Sequence, residues 1–454
     1  MSAGTGVTIT QRICDEFALS GSSYRIFPSD SGTKGVLGNV DAIYLSSSVY
    51  GDYYSGLSAS NAVKTLSKAI ELADLYNCGK IIVCGGYSSG YTIPSEESTL
   101  LDRAGKRHLT LVRYDGSSDV SSAFTRILLT VEQGDVTITN VTLDGNKENV
   151  TADDALLYIS RAAATVTLGD GVVICNNSAS GVEMFAGTLK MTGGLITGNK
   201  ADRGGGVCLS LSTNQSSFVM SGGEISGNTA TVNGGGVFVD SNSDEFIMNG
   251  GTIRNNSASK NGGGVCLSGG TFIMNNGTIS DNTSIENGGG VCLDMRSTFE
   301  MKDGTISGNK SVSKSGGGVA LVYSATFNMS GGKITGNTAE LTGGGVYIGS
   351  NTFTMSGGEI SDNTATSNGG GVYVGNYRKF TISGGVITRN KSSKSGGGIY
   401  SYEYGDITLN GGAITSNIAA EHGGGVYKKK SSTLSQNGAT TVSGNTPDDI
   451  YNEP

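Results

Sequence analysis

The chain has 454 residues, 36% of them apolar, with 74 glycines, four prolines, seven cysteines and a formal charge of −8. Glycine at about twice its ordinary share, without abundant proline or a glycine at every third place, excludes collagen, and apolar residues recurring at fixed intervals exclude a disordered chain. The mild acidity excludes a general attraction to nucleic acid, no apolar run of about eighteen residues offers a membrane-spanning helix, and the thinly spread cysteines read as mostly free, buried thiols rather than a disulfide framework.

Residues 1–43 fit no repeat and stand apart as an N-terminal extension, without the basic-then-apolar pattern of a secretion signal. Residues 44–135 read as a cap with the first coils of a stack. Within them Asn61–Tyr76 (NAVKTLSKAIELADLY) places Val63, Leu66, Ile70 and Ala73 on one side of a helix. An open parallel edge invites aggregation, so this helix is expected to plug the first coil. A strand over Lys80–Cys84 should follow it.

The richest acidic stretch comes next: Asp144, Glu148, Asp153 and Asp154. Asp144-Gly-Asn146-Lys-Glu148 opens like a calcium loop, but Asn149 replaces the required glycine and Ala155 stands where a bidentate glutamate belongs. The simpler reading is a solvated corner with Asp144 before a turn glycine; Asp144, Asp153 and Asp154 remain the alternative as carboxylates of a hydrolase site. His108 and His422 have no acidic or serine partner at a repeated spacing. The expectation is therefore no catalytic residue, no metal and no cofactor.

From residue 136 to 454 one pattern repeats. Gly-Gly-Gly followed by Val or Ile occurs nine times, starting at Gly204, Gly234, Gly262, Gly288, Gly316, Gly343, Gly369, Gly396 and Gly423, at intervals of 26 to 30 residues. A second series sets an apolar residue three places before Asn199, Asn228, Asn256, Asn282, Asn309, Asn337, Asn363, Asn390 and Asn417. Each unit, such as FTMSGGEISDNTATSNGGGVYV from Phe353 to Val374, holds three segments too short for helices and alternating with period two. The fold class that follows is all-β: a single-stranded parallel β-helix of about a dozen coils, three short strands per coil, with an N-terminal capping helix. At ~4.8 Å per coil the stack would run roughly 55–60 Å. Phe218, Phe246, Phe272, Phe299, Phe327, Phe353 and Phe380, with parallel rows of Met and Ile, should stack inward on their own equivalents. The asparagines should occupy positive-φ corners and hydrogen-bond from coil to coil.

In the Val-x-Val strand after each triplet the middle residue points away from the core: Cys208, Phe238, Cys266, Cys292, Ala320, Tyr347, Tyr373, Tyr400 and Tyr427 in turn. Cys266 and Cys292 fall about 5 Å apart, within reach of a disulfide, though free stacked thiols are the reading adopted. The four tyrosines either stack on one another and stabilise the ladder or form an outward aromatic stripe for sugars or a partner's surface. On the second reading, serine at Tyr373, Tyr400 and Tyr427 abolishes binding and leaves the melting temperature nearly unchanged. The connection after Val-x-Val varies in length (SGG, GNYR, LSLSTNQSS), marking the corner where function can diversify. It supplies Arg296, Tyr323, Tyr377, Arg378, Tyr402, Tyr404 and Lys428–Lys430.

These repeats resemble right-handed parallel β-helix proteins of the pectate-lyase-like superfold, and in particular bacterial polymorphic outer-membrane protein and adhesin passengers, which carry Gly-Gly-Ala-Ile motifs. Gly411–Ile414 is GGAI itself, with GGLI, GGEI, GGTI, GGKI and GGVI elsewhere. The segment GDYYSGLSASNAVKTLSKAIELA looks like the capping region of such proteins. The resemblance spans roughly Tyr44 to Pro454. It implies a non-enzymatic, extracellular or surface scaffold binding glycans or cell-surface proteins, whose export signal and anchor are not visible in this chain. The same superfold also hosts carbohydrate-active lyases and hydrolases and phage tailspikes. Long irregular loops, the usual builders of an enzyme cleft, are not seen here.

Overall fold

A parallel ladder requires equivalent residues of successive coils to lie opposite one another, and in the computed structural model they do. The structure describes residues 24–28, 35–84, 90–116, 123–212 and 214–454. Two compact units, residues 1–179 and 180–454, are taken in turn.

In the second unit each coil has three main strands. The valine face runs from Val182–Met184 through Val207–Leu209 to Ile450–Asn452, the phenylalanine face from Gly187–Met191 to Thr433–Gln436, and the isoleucine face from Leu195–Thr197 to Thr441–Ser443. Pairing is parallel and keeps the repeat in register: Phe272 lies opposite Phe299, Ile279 opposite Ile306 and Val265 opposite Val291. The seven stacked phenylalanines are fully buried, and successive ring centroids sit 4.6 to 4.9 Å apart. Offset aromatic stacking and apolar burial thus act together in these seven coils.

A fourth strand lies between each ladder asparagine and the next glycine triplet, four and five residues long at first (Lys200–Arg203, Thr229–Asn233) and two residues long from Ser257–Ala258 to Ile418–Ala419. Three strands per coil is therefore an undercount in this unit. The physical reason is composition: the fourth strand buries one small residue per coil (Ala230, Ala258, Ser284, Ser311, Ala339, Ala365, Ser392, Ala419), so it lacks the large apolar alternation that announces a strand.

The triplet that follows is dictated by close approach. A Cβ on Gly262, itself at φ +64°, would stand 2.6 Å from the Cβ of Cys266; one on Gly263 would meet the Gly289 carbonyl at 2.6 Å; one on Gly264 would meet the Gly290 carbonyl at 2.7 Å. Only glycine fits all three places.

The asparagine series forms a continuous buried ladder. The Oδ1 of Asn309 accepts from both the N–H and the Nδ2 of Asn282 at 3.0 Å, while its Nδ2 donates to Ile279 O and to Asn337 Oδ1, each at 2.9 Å. The same arrangement recurs to Asn445, whose N–H and Nδ2 both reach Asp449 Oδ1 at 2.9 Å. The expectation of positive φ at these asparagines is corrected: the left-handed residue is the one before, as at Asn255 (φ 54°), Asp281 (φ 55°) and Gly308 (φ 66°). The ladder residue is instead set by hydrogen bonding, because a carboxamide offers an acceptor to one neighbouring coil and two donors, one to the next ladder residue and one to a backbone carbonyl.

In the first unit, strands Ile43–Leu45, Lys80–Val83, Leu109–Arg113, Val141–Asp144 and Val173–Cys175 pair in parallel. A hairpin, Tyr24–Pro28 with Gly35–Asn39, precedes them; the rest of the extension through residue 34 lies outside the described residues. The capping helix is shorter than expected. α1 spans Leu66–Leu75, because Val63 forms a parallel bridge with Leu45 and Asn61 closes a separate 3₁₀ turn. Thr65 caps it, accepting from the Lys68 N–H at 3.2 Å. Two carboxylates hold the same end: Asp52 accepts from the Thr65 N–H at 2.9 Å and Glu97 from the Ser67 N–H at 2.9 Å, satisfying exposed donors and the helix dipole together. Leu66, Ala69, Ile70, Leu72 and Ala73 are buried, and the helix packs on Ile43–Leu45 and Lys80–Val83. The strand predicted over Lys80–Cys84 ends one residue earlier, at Val83.

Candidate functional site

The acidic stretch of the first unit divides into separate local tasks. Asp144 Oδ1 accepts the Asn146 N–H at 2.9 Å, the geometry of an Asx turn. Asp154 pairs with Arg126 at 3.1 Å, and Asp153 is exposed. Among the described residues, no group of three His, Cys, Asp or Glu is placed to hold a metal ion. Nearby is a group the sequence did not single out: Arg113, wholly buried, donates to the Arg126 carbonyl and to Asn177 Oδ1. Burial lowers it to about 10. His108 bonds Asn140 Oδ1 at 2.9 Å and Thr142 Oγ1 at 2.8 Å.

In the second unit, the column behind the valine face is less open than its alternation suggests. Phe238, Cys266, Cys292 and Ala320 form a buried apolar cluster with Cys208, Val322 and Tyr347 packed against it. Tyr347, Tyr373, Tyr400 and Tyr427 continue this column, with centroids 5.5, 5.3 and 4.8 Å apart. Tyr347 and Tyr373 are half-buried, while Tyr400 and Tyr427 are 5% and 7% exposed. The expected open stripe is thus mostly covered. The turn at the first glycine of each triplet crosses the middle residue of the strand, as Gly396 does over Tyr400, and Tyr451 stacks beyond Tyr427 at 5.4 Å. Tyr427 donates to Glu453 at 3.1 Å; burial and this bond push it up to about 12. Cys266 and Cys292 face each other in register as free thiols.

Leu211, Met295, Tyr323, Tyr377 and Tyr404 are exposed large side chains at the variable corner between the valine and phenylalanine faces, while Ile285, Val312, Leu341 and Ile418 are exposed at or beside the fourth strand. Tyr377 and Tyr404 stack with centroids 4.6 Å apart and rings 2° from parallel, while Arg378 donates to Gly349 O at 2.9 Å and Tyr402 approaches Tyr373 at 6.4 Å. The backbone here is unusual. Of seven described residues other than Gly, Asn and Asp that take positive φ, five lie at this corner: Met295 (42°), Arg296 (65°), Ser324 (49°), Tyr377 (58°) and Tyr404 (55°).

Leu211, Asp240, Asn242, Met295, Arg296 and Tyr323 line a groove of about 660 Å³ along this corner. Asp240 pairs with Arg203 at 3.2 Å. Burial holds its carboxyl above the usual range, and does the same to Asp294 beside Met295. The sequence marked this corner through its variable length and named Arg296, Tyr323, Tyr377, Arg378, Tyr402 and Tyr404. It did not mark Leu211, Asp240, Asn242 or Met295, which share no motif and meet only because coils stack.

Compared with known proteins, a family described as "Right handed beta helix region" matches residues 126–299 and, overlapping, 217–385, together more than half of the chain. No curated protein and no solved structure matches it.

Proposed function

The chain belongs to the right handed beta helix family, and from that premise we propose that it is a non-enzymatic, adhesin-like scaffold, secreted or at a bacterial surface, that binds glycans or cell-surface partners along its variable corner. The observation that carries this reading is the set of bulky side chains held at positive φ. Elsewhere in its coils this protein mostly places glycine, asparagine or aspartate at left-handed positions, yet at this corner it keeps Met295, Arg296, Tyr377 and Tyr404, where a Cβ costs about 1 kcal/mol. The side chains, not the turns, account for that choice. Exposed tyrosines also combine broad rigid contact area with a hydroxyl. No helix among the described residues is long and apolar enough to cross a membrane.

A second reading, a polysaccharide lyase or glycoside hydrolase, draws on Asp240 and Asp294, whose raised carboxyls lie in or beside the groove. Both readings meet one experiment: a panel of pectin, alginate and host glycans, assayed for binding and for cleavage with and without calcium. Binding without cleavage, lost in a Tyr323→Ser/Tyr377→Ser/Tyr404→Ser triple variant, supports the scaffold; cleavage abolished by Asp240→Asn supports the enzyme.

A further inference from the structure

Resting on the binding reading above, we infer that the groove between Leu211 and Tyr323 is a subsite for a short neutral oligosaccharide lying along the axis of the coils. Its lining comes from successive coils: Leu211, then Asp240 and Asn242, then Ser268, then Met295 and Arg296, then Tyr323. Four steps of one strand spacing each give a trough of ~19 Å, long for a single sugar ring and suited to a chain of several. Its volume of about 660 Å³ lies inside the range of small-molecule sites.

The chemistry of the lining selects the ligand. Tyr323 is 65% exposed. Tyr377 and Tyr404 cover one another's faces, but the coil after Tyr323 offers Ser350 and Asn351 at this corner, leaving its ring open as a stacking platform for the apolar face of a sugar. Met295, anchored by the Ser268 hydroxyl at 3.5 Å from its sulfur, supplies an adaptable apolar wall. Asn242 and Arg296 bring planar donors, and Asn242 and Asp240 bring acceptors, a set that suits vicinal hydroxyls. Charge decides against an acidic polysaccharide. Of the charged residues on the lining, Asp240 is already paired with Arg203 and Arg296 is the one cation, a single positive charge against a string of uronates.

The test is an array of neutral and uronate-containing oligosaccharides probed with the whole chain, Tyr323→Ala, Tyr323→Phe and Tyr377→Ser/Tyr404→Ser, each first matched in circular dichroism and melting temperature. The inference expects neutral chains of three or more units to bind, Tyr323→Ala to weaken them about ten-fold or more, and Tyr323→Phe to retain them. Preference for uronates, or binding unchanged in Tyr323→Ala, overturns it. If binding is lost only in the Tyr377→Ser/Tyr404→Ser variant, this subsite fails while the corner reading stands; if the wild-type chain binds no glycan, both fail.

Discussion

Replacing Asn309 with alanine measures what the carboxamide ladder contributes. The side chain donates to Ile279 O and Asn337 Oδ1 and accepts from the N–H and Nδ2 of Asn282, four bonds of 2.9 to 3.0 Å among groups without solvent contact. Alanine removes all four and leaves the Asn282 N–H buried without an acceptor at that place. Three of these bonds at about 1 kcal/mol net each, with about 1–3 kcal/mol for the orphaned Asn282 donor, give an expected loss of about 4–6 kcal/mol, a large part of a typical folding stability. Urea denaturation followed by far-ultraviolet circular dichroism reads the total, and hydrogen exchange at the Asn282 amide reads the local effect. Asn328→Ala, at an exposed site on the outside of strand Thr326–Met329, is the control and should change stability by less than about 0.5 kcal/mol. Equal small losses in both variants, with Asn282 protection intact, would refute the reasoning.

Further outcomes follow from individual side chains. Asp244 is buried, with one oxygen accepting the Ser216 N–H at 2.8 Å and the other unpartnered, and burial pushes it up to about 6 from 3.8. The native state therefore holds a proton that the unfolded chain releases, so this residue's stabilising contribution is complete in acid and declines as pH rises from about 4 to 6; Asp244→Asn should raise the melting temperature at pH 7 and not at pH 4, and parallel melting curves would sink the idea. Tyr400→Ser removes a 95%-buried ring stacked on two others and should cost about 2–4 kcal/mol, whereas Tyr404→Ser, at a half-exposed ring, should cost less than about 1 kcal/mol; equal melting shifts would contradict this. The hydrogen bond with Cys266, with burial, raises the Cys292 thiol, so mass spectrometry after iodoacetamide should find Cys266 and Cys292 unmodified in the native protein and both modified in denaturant.

The core was legible because it repeats. Phe272 and Phe299, or Ile279 and Ile306, recur at the coil interval, and a side chain that packs on its own copy leaves that interval in the sequence. The fourth strand was not legible, since Ala258 and Ser284 fill its single inward place without large apolar alternation. Alternation sets the tyrosine column opposite the inward valines, but alternation within a strand cannot reveal that the glycine turn of the same coil crosses over it. The groove was hidden for a related reason: Leu211 and Tyr323 are more than a hundred positions apart along the chain and meet only through the addition of coils.

The ladder of Asn228, Asn256, Asn282 and Asn309 offers each neighbour the same acceptor below and the same donor above. Excising one whole period, from one of these residues to the next, would join two ends already shaped to meet, whereas losing half a period would set donor against nothing. Genes of this kind can therefore grow or shrink by unequal crossing-over in whole modules without passing through a broken intermediate. The length of the tract should then vary among natural isolates in steps of one module, with its two terminal pieces left in place.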